Sequence, residues 1–106
     1  MDRKETVLCA ASAYERKYYF NDAFSRIPDE IKDELQIMCV TFTEDVGGVI
    51  LLAFNEQGNL TISTQCAEED LLYDDIGSEL KIREIQNEKK DLLMSLETYY
   101  KVFNKS

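Results

Sequence analysis

The sequence predicts an α+β fold in which a small antiparallel β-hairpin packs with two to three helices, the last of them long. Three stretches predict it. Residues 49–65 have the pattern of two strands joined by a tight turn, and residues 28–45 that of an amphipathic helix. Residues 68–103 carry apolar side chains mostly at helical spacing. A chain of 106 residues with 44% hydrophobic residues supports one modest core, so we expect residues 1–106 to form a single domain.

The hairpin is predicted by its turn. Residues 55–59 fit a three-residue loop with Gly58 in the left-handed conformation that suits glycine. Phe54 then faces Leu60 across the hairpin, and the same register applies along both strands. The second strand alternates apolar and polar residues, whereas the first strand, residues 49–54, is apolar on both faces. Some other element must therefore cover its second face.

A two-stranded ribbon is marginally stable in water, so the hairpin needs a further partner. Either the N-terminal segment supplies a third strand, or a second copy of the protein extends or covers the sheet. We expect a homodimer whose interface contains Val49 and Leu51 together with the apolar part of the last helix.

The helix over residues 28–45 begins at Pro28, a residue that suits the first helical turn. Its apolar stripe ends before Gly47, which is a good helix stop. Glu44 and Asp45 lie at the negative end of the helix dipole, where each costs about 0.3–1 kcal/mol. Carboxylates exposed to water also explain this placement, but it marks both residues as candidates for a functional surface.

The N-terminal residues 4–20 allow two interpretations. As a helix they place Val7, Ala11, Tyr14 and Tyr18 on one stripe, and several good helix formers lie among them. As a strand they place Tyr14, Arg16, Tyr18 and Phe20 on one face. We predict the helix.

The C-terminal helical pattern begins with acidic residues at 68–70, and Leu72, Ile76 and Leu80 follow at four-residue spacing. An unbroken helix of about 35 residues would span roughly 52 Å. We therefore expect an overhang onto a partner or a kink, with Gly77-Ser78 as one place for a break.

The net charge of −9 is concentrated in the middle of the chain. Residues 22–79 contain two basic and fourteen acidic residues, and no Lys or Arg occurs from residue 33 to residue 80. This charge repels phosphate backbones and anionic membranes, so we expect neither nucleic acid nor membrane as a partner. The apolar stretch at residues 6–11 is too short for a secretory signal, and the cytoplasm is the expected location.

Several kinds of catalytic site are excluded by composition. The chain has no histidine and no glycine-rich phosphate loop, and Cys9, Cys39 and Cys66 are widely spaced without a CxxC motif. Zinc sites of the usual Cys/His type and Ser-His-Asp or Cys-His catalysis are therefore not expected. We expect the cysteines to be small buried apolar residues, and we expect no cofactor.

The acidic residues give two functional hypotheses. The first is a non-enzymatic interaction or regulatory module that docks a basic protein. Its candidate partner-binding residues are Glu44, Asp45, Glu69, Asp70, Asp74 and Asp75. The second is a divalent-metal-dependent enzyme using Asp70, Asp74 and Asp75 with Glu44 or Glu69. Carboxylates suit Mg²⁺, and a helix would place Asp70 and Asp74 one turn apart as metal ligands. We favour the first hypothesis because nucleophile, histidine and phosphate-loop signals are all missing.

Three short segments carry a family resemblance. They are Ala13-Tyr14-Glu15 with Lys17-Tyr18-Tyr19-Phe20-Asn21, then Thr43-Glu44-Asp45-Val46-Gly47-Gly48, and Tyr73-Asp74-Asp75-Ile76-Gly77-Ser78. Together they resemble a family of small proteins of unknown function from anaerobic Gram-positive bacteria, over nearly the whole chain. The resemblance implies no activity, cofactor or catalytic residue. It supports a bacterial cytosolic setting.

Overall fold

The computed structural model describes residues 5–103 and confirms the α+β class, with a four-stranded antiparallel sheet and three α-helices. Residues 1–4 and 104–106, the two ends of the predicted domain, lie outside the described residues. They include Lys4, the first residue of the predicted N-terminal helix. The elements in chain order are β1 (Thr6–Ser12), β2 (Lys17–Phe20), α1 (Asp29–Val46), β3 (Val49–Phe54), β4 (Leu60–Gln65), α2 (Asp75–Glu88) and α3 (Lys90–Phe103).

The β3–β4 hairpin has the predicted register throughout, from the pair Val49 and Gln65 to the pair Phe54 and Leu60. Gly58 has a φ of +82°, which is the left-handed conformation that its turn requires. The Asn55 side chain accepts hydrogen bonds from the backbone N–H groups of Gln57 and Asn59. The turn is therefore fixed by Asn55 and Gly58 together.

The predicted N-terminal helix is wrong, because residues 6–20 form the hairpin of β1 and β2. The strand order is β2-β1-β3-β4, so β1 pairs with the edge of β3 that β4 leaves open. The N-terminal segment thus supplies the third strand that a doubly apolar β3 needs, and a fourth strand beyond it. A register shift between Val7 and Cys9 lets Leu8 and Cys9 both be fully buried. Tertiary pairing outweighs the local helix propensity of the alanines here.

The core lies between one face of the sheet and the helices. Ile50, Leu52 and Phe54 of β3 point into it and are fully buried. All three helices contribute to the same cluster of buried side chains, for example through Leu35, Phe42, Ile85 and Leu96. Tyr100 of α3 stacks on Phe54 with ring centroids 4.2 Å apart. The helices therefore all pack on this one face.

The opposite face of the sheet carries no helix in the described part of the chain. The strand register assigns to it Val7, Ala10, Ser12, Lys17, Tyr19, Val49, Leu51, Ala53, Thr61, Ser63 and Gln65. None of these is acidic, although the chain has 21 acidic residues. Val49 and Leu51 are half-buried and Tyr19 is exposed. We call this surface the open sheet face.

The C-terminal helical region begins later than predicted and is divided in two. Residues 68–74 form turns rather than helix, and α2 begins at Asp75. The break lies at Lys89, between α2 and α3, and not at Gly77-Ser78. The break lets α3 pack against β4 while α2 packs against α1 and α3, which one straight helix of that length could not do. Among the described residues, no helix has the length and apolar character that crossing a membrane requires.

Candidate interaction surface

The hairpin brings its two flanking segments to the same end of the sheet. Val49 pairs with Gln65, so the end of α1 lies beside the segment of residues 66–74, which we call the acidic loop. The Tyr73 ring packs over Gly48, where an added Cβ would lie 2.6 Å from the Tyr73 ring and 2.5 Å from the Gln65 carbonyl oxygen. Gly48 also has a φ of +71°. Both the backbone conformation and the close approach of Tyr73 therefore require glycine there.

Tyr14, in the turn between β1 and β2, holds the acidic loop in place. Its hydroxyl donates a hydrogen bond to Asp70 Oδ2 over 2.6 Å and accepts one from the Ala67 N–H over 2.9 Å. The Leu72 N–H donates to Asp70 Oδ1 over 3.1 Å. The hydrogen bond to the Asp70 carboxylate raises the pKa of Tyr14, because it is lost when the hydroxyl ionises.

Asp74 begins α2. It has an extended backbone, and its side chain accepts a hydrogen bond of 2.8 Å from the Gly77 N–H. This is the geometry of an N-cap, which satisfies one of the backbone donors left free at a helix start. The Tyr73 hydroxyl donates to Ser78 Oγ over 2.8 Å, and Asp75 lies in the first turn. Asp74 and Asp75 therefore stabilise the start of this helix.

Glu44 and Asp45, the two candidate residues at the end of α1, lie in different clefts. Asp45 forms an ion pair of 3.3 Å with Lys81, which is also 3.4 Å from Glu84, and these carboxylates raise the pKa of Lys81. Asp45 and Asp74 line one cleft of about 660 Å³ together with Leu80. Glu44 instead lines a cleft of about 690 Å³ between α1 and the β1–β2 turn, beside Arg16 and Lys17. Asp45 therefore joins the acidic loop, and Glu44 lies on another side of α1.

The structure gives the positions of Asp70 and Asp74, the two candidate metal ligands. Asp70 and Asp74 are not one helical turn apart, because residues 68–74 are not helical. Both carboxylates accept hydrogen bonds within the loop and at the start of α2. In residues 5–103, no three Asp, Glu, Cys or His side chains lie close enough together to hold a metal ion. Nothing in the geometry therefore favours the metal-dependent alternative over the docking hypothesis.

Two of the three cysteines match the expectation of buried apolar residues. Cys9 and Cys39 are fully buried with their sulfur atoms 3.9 Å apart, whereas Cys66 is exposed. The hydrogen bond with Cys9, together with burial, raises the pKa of Cys39. The reactive form of cysteine is the thiolate, and this environment keeps the Cys39 thiol protonated.

Sequence reasoning missed the exposed apolar side chains of this region. Leu72, Ile76 and Leu80 continued an apolar stripe in the predicted helix, but the structure leaves them largely exposed, and Leu71 with them. Asp70 and Asp74 could have indicated the later helix start. Aspartate side chains readily accept hydrogen bonds from nearby backbone N–H groups, and here they do so in place of a helix beginning at residue 68.

The fold and this surface define a small α+β protein with its helices on one face of a four-stranded sheet and a carboxylate-rich loop at one end. The chain belongs to the family of unknown function DUF6145, whose model matches residues 5–106. No curated protein and no solved structure matches it. The match confirms the resemblance to a family of unknown function, while the origin in anaerobic Gram-positive bacteria stays a prediction.

Proposed function

We propose that the chain acts as one domain, residues 1–106, and is a non-enzymatic interaction or regulatory module of the cytoplasm that docks a basic protein. One observation carries the proposal. Residues 68–79 contain six carboxylates and no Lys or Arg, and in the described part of the chain none of the six forms an ion pair. These six residues, which we call the acidic surface, are Glu68, Glu69, Asp70, Asp74, Asp75 and Glu79.

The neighbourhood of the acidic surface supports this proposal. Asp45 extends it, although Lys81 neutralises part of that charge. Lys81 and Arg83 line the same cleft as Asp74, whereas Lys and Arg residues beyond about 8 Å are screened at physiological salt and do not cancel this local field. A basic partner would be attracted to it and oriented by it.

Charge-reversal variants test the docking proposal. The probe is a poly-lysine peptide of about 15 residues, and binding is measured by fluorescence anisotropy over a range of NaCl concentrations. We expect Glu69→Lys with Asp75→Lys to reduce binding by at least about tenfold. The matched control, Glu56→Lys with Asp91→Lys, changes the net charge equally at two exposed positions outside the acidic surface. Equal losses in both variants would show that only net charge matters and would overturn the proposal.

We also propose that a second copy covers the open sheet face through Val49 and Leu51. This face is apolar in its centre and has no carboxylate, so two copies can meet there without bringing acidic side chains of the face together. Four strands of about six residues present roughly 400 Å², below the roughly 800 Å² per partner of standard interfaces, so we expect a weak dimer. The apolar part of α3 lies on the other side of the sheet from Val49 and Leu51, because Tyr100 stacks on Phe54 at the core face. The proposed interface therefore uses the open sheet face without α3.

Sedimentation velocity over a range of protein concentrations tests the dimer. We expect the weight-average sedimentation coefficient to rise with concentration, and Leu51→Asp to abolish the rise. Met94→Asp, on the exposed side of α3, is the matched control and should leave the rise unchanged. A protein that stays monomeric at every concentration would refute the dimer without affecting the docking proposal.

A further inference from the structure

Four large apolar side chains lie between or directly beside the carboxylates of the acidic surface in the sequence. Leu71 and Leu72 in the acidic loop are 92% and 93% exposed, and Ile76 and Leu80 on α2 are 74% and 58% exposed. One exposed leucine is ordinary on a protein surface. Four such residues between positions 71 and 80, with carboxylates among them, are typical of a contact surface. We call these four residues the apolar ridge.

Hydrogen bonds hold the backbone that carries the apolar ridge. Tyr14 bonds to Asp70 and Ala67 on one side of Leu71 and Leu72, and Tyr73 bonds to Ser78 on the other. The Asp74 cap then fixes the first turn of α2, on which Ile76 stands. A surface that is ordered before binding loses little conformational entropy when a partner arrives, which favours binding.

Several backbone N–H groups of this segment are already hydrogen-bonded and cannot pair with a partner strand. The N–H groups of Leu72, Gly77 and Ser78 already donate to Asp70 or Asp74. These three donors are not free to pair with a partner strand, and the exposed side chains are the groups that a partner would contact. Ile76 and Leu80 lie one turn apart on the same side of α2, and such a row is what packs against the groove of another helix.

We propose that the partner's binding element is a basic amphipathic helix. Its apolar stripe covers the apolar ridge, and its Lys and Arg residues face the carboxylates of the acidic surface. This inference rests on the proposed docking function and adds the kind of element that docks. A second copy of this chain is a poorer occupant, because it would bring the same carboxylates against each other.

Designed peptides of about 18 residues, or five helical turns, test the inference. One carries leucine and lysine at amphipathic helical spacing. A second has the same composition with the leucines spread around the helix, and a third replaces each lysine with glutamate. Anisotropy measures binding, and circular dichroism measures the helix formed on binding. We expect the first peptide to bind at least about tenfold more tightly than the second, and the third not to bind.

Variants of the ridge give the second arm. Leu72→Ser with Ile76→Ser should weaken binding of the first peptide by about tenfold or more and leave the second peptide unchanged. The matched control is Met94→Ser with Val102→Ser, two exposed apolar residues on α3, and it should bind both peptides as the parent does. Because the ridge residues are largely exposed, these variants remain folded, and circular dichroism checks this.

Each outcome has a distinct meaning. If the two lysine peptides bind equally and the ridge variant changes neither, the helix proposal is overturned while docking by charge stands. If neither lysine peptide binds, both proposals fail. If sedimentation shows a dimer that the ridge variant converts to a monomer, a second copy occupies the ridge and the helix proposal is overturned.

Discussion

Replacing Asp74 separates a structural role for this carboxylate from a metal-binding one. Asp74→Ala removes the hydrogen bond to the Gly77 N–H, and loss of an N-cap typically costs about 1 kcal/mol, within a range of about 0.5–2. It also removes a negative charge from the helix start, worth about 0.3–1 kcal/mol. We therefore expect the free energy of unfolding to fall by about 1–2 kcal/mol. For a domain of this size that lowers Tm by roughly 5–15 °C.

Two variants isolate the cap from the charge. Asp74→Asn keeps an oxygen acceptor and loses only the charge, so about 0.3–1 kcal/mol is expected. Asp75→Ala removes a charge from the first turn and should cost the same small amount. Urea unfolding measures the free energy of unfolding of all three variants, and thermal unfolding with and without Mg²⁺ measures their Tm. If Asp74→Ala costs no more than Asp75→Ala, the cap contributes nothing and the reasoning fails. A Mg²⁺-dependent rise in Tm that only the parent shows would instead support the metal-dependent alternative.

Two further predictions concern the attachment of the acidic loop. Gly48→Ala should lower the free energy of unfolding by about 2 kcal/mol or more, because the added Cβ meets Gln65 and Tyr73 at a positive φ. Gly47 also has a positive φ, but an added Cβ there would lie 4.0 Å from the nearest atom, so Gly47→Ala is the control for backbone strain alone. Equal losses of stability in the two variants, measured by thermal unfolding, would show that the clash with Gln65 and Tyr73 contributes nothing. Tyr14→Phe should be less stable than the parent in urea unfolding at neutral pH. The folded-state pKa of Tyr14 is raised, so this difference is complete below the unfolded value of about 10 and disappears as pH rises through the folded value. A difference that persists unchanged at high pH would contradict the Tyr14–Asp70 bond.

The β3–β4 hairpin could be predicted because its determinants are local. Gly58 and Asn55 specify the turn, and the turn specifies every opposed pair. The N-terminal hairpin could not be predicted in the same way, because its determinant is the free edge of β3, some forty residues away in the chain. The strand alternative did place Tyr18 and Phe20 correctly on one face, and both pack against the core. Helix propensity carries no information about that distant partner.

The role of the candidate site residues stays a prediction, but the structure corrects the local geometry that the sequence predicted for residues 68–74. Asp74 does line one cleft with Asp45, and the segment after β4 lies beside the end of α1, as the two flanks of a hairpin must. The predicted helical arrangement was wrong, since Asp70 and Asp74 use their side chains to bond the backbone and delay the helix start. The exposure of Leu71 and Leu72 follows from that delay. It depends on Tyr14, whose contact with Asp70 spans 56 positions of the sequence.

The strand order also determines how far apart in the chain the paired strands lie. Each of the two hairpins closes through neighbouring residues, whereas the pairing of β1 with β3 closes a loop that contains the whole of α1. Non-local strand pairing is intrinsically slow, so we expect this pairing to follow the closing of the two hairpins. Until it forms, β3 has an unpaired edge and apolar residues on both faces, which is a template for joining another chain. In the folded chain β1 pairs with this edge of β3 and so protects it. We expect misassembly of this topology to occur through exchange of the β1–β2 hairpin between two copies.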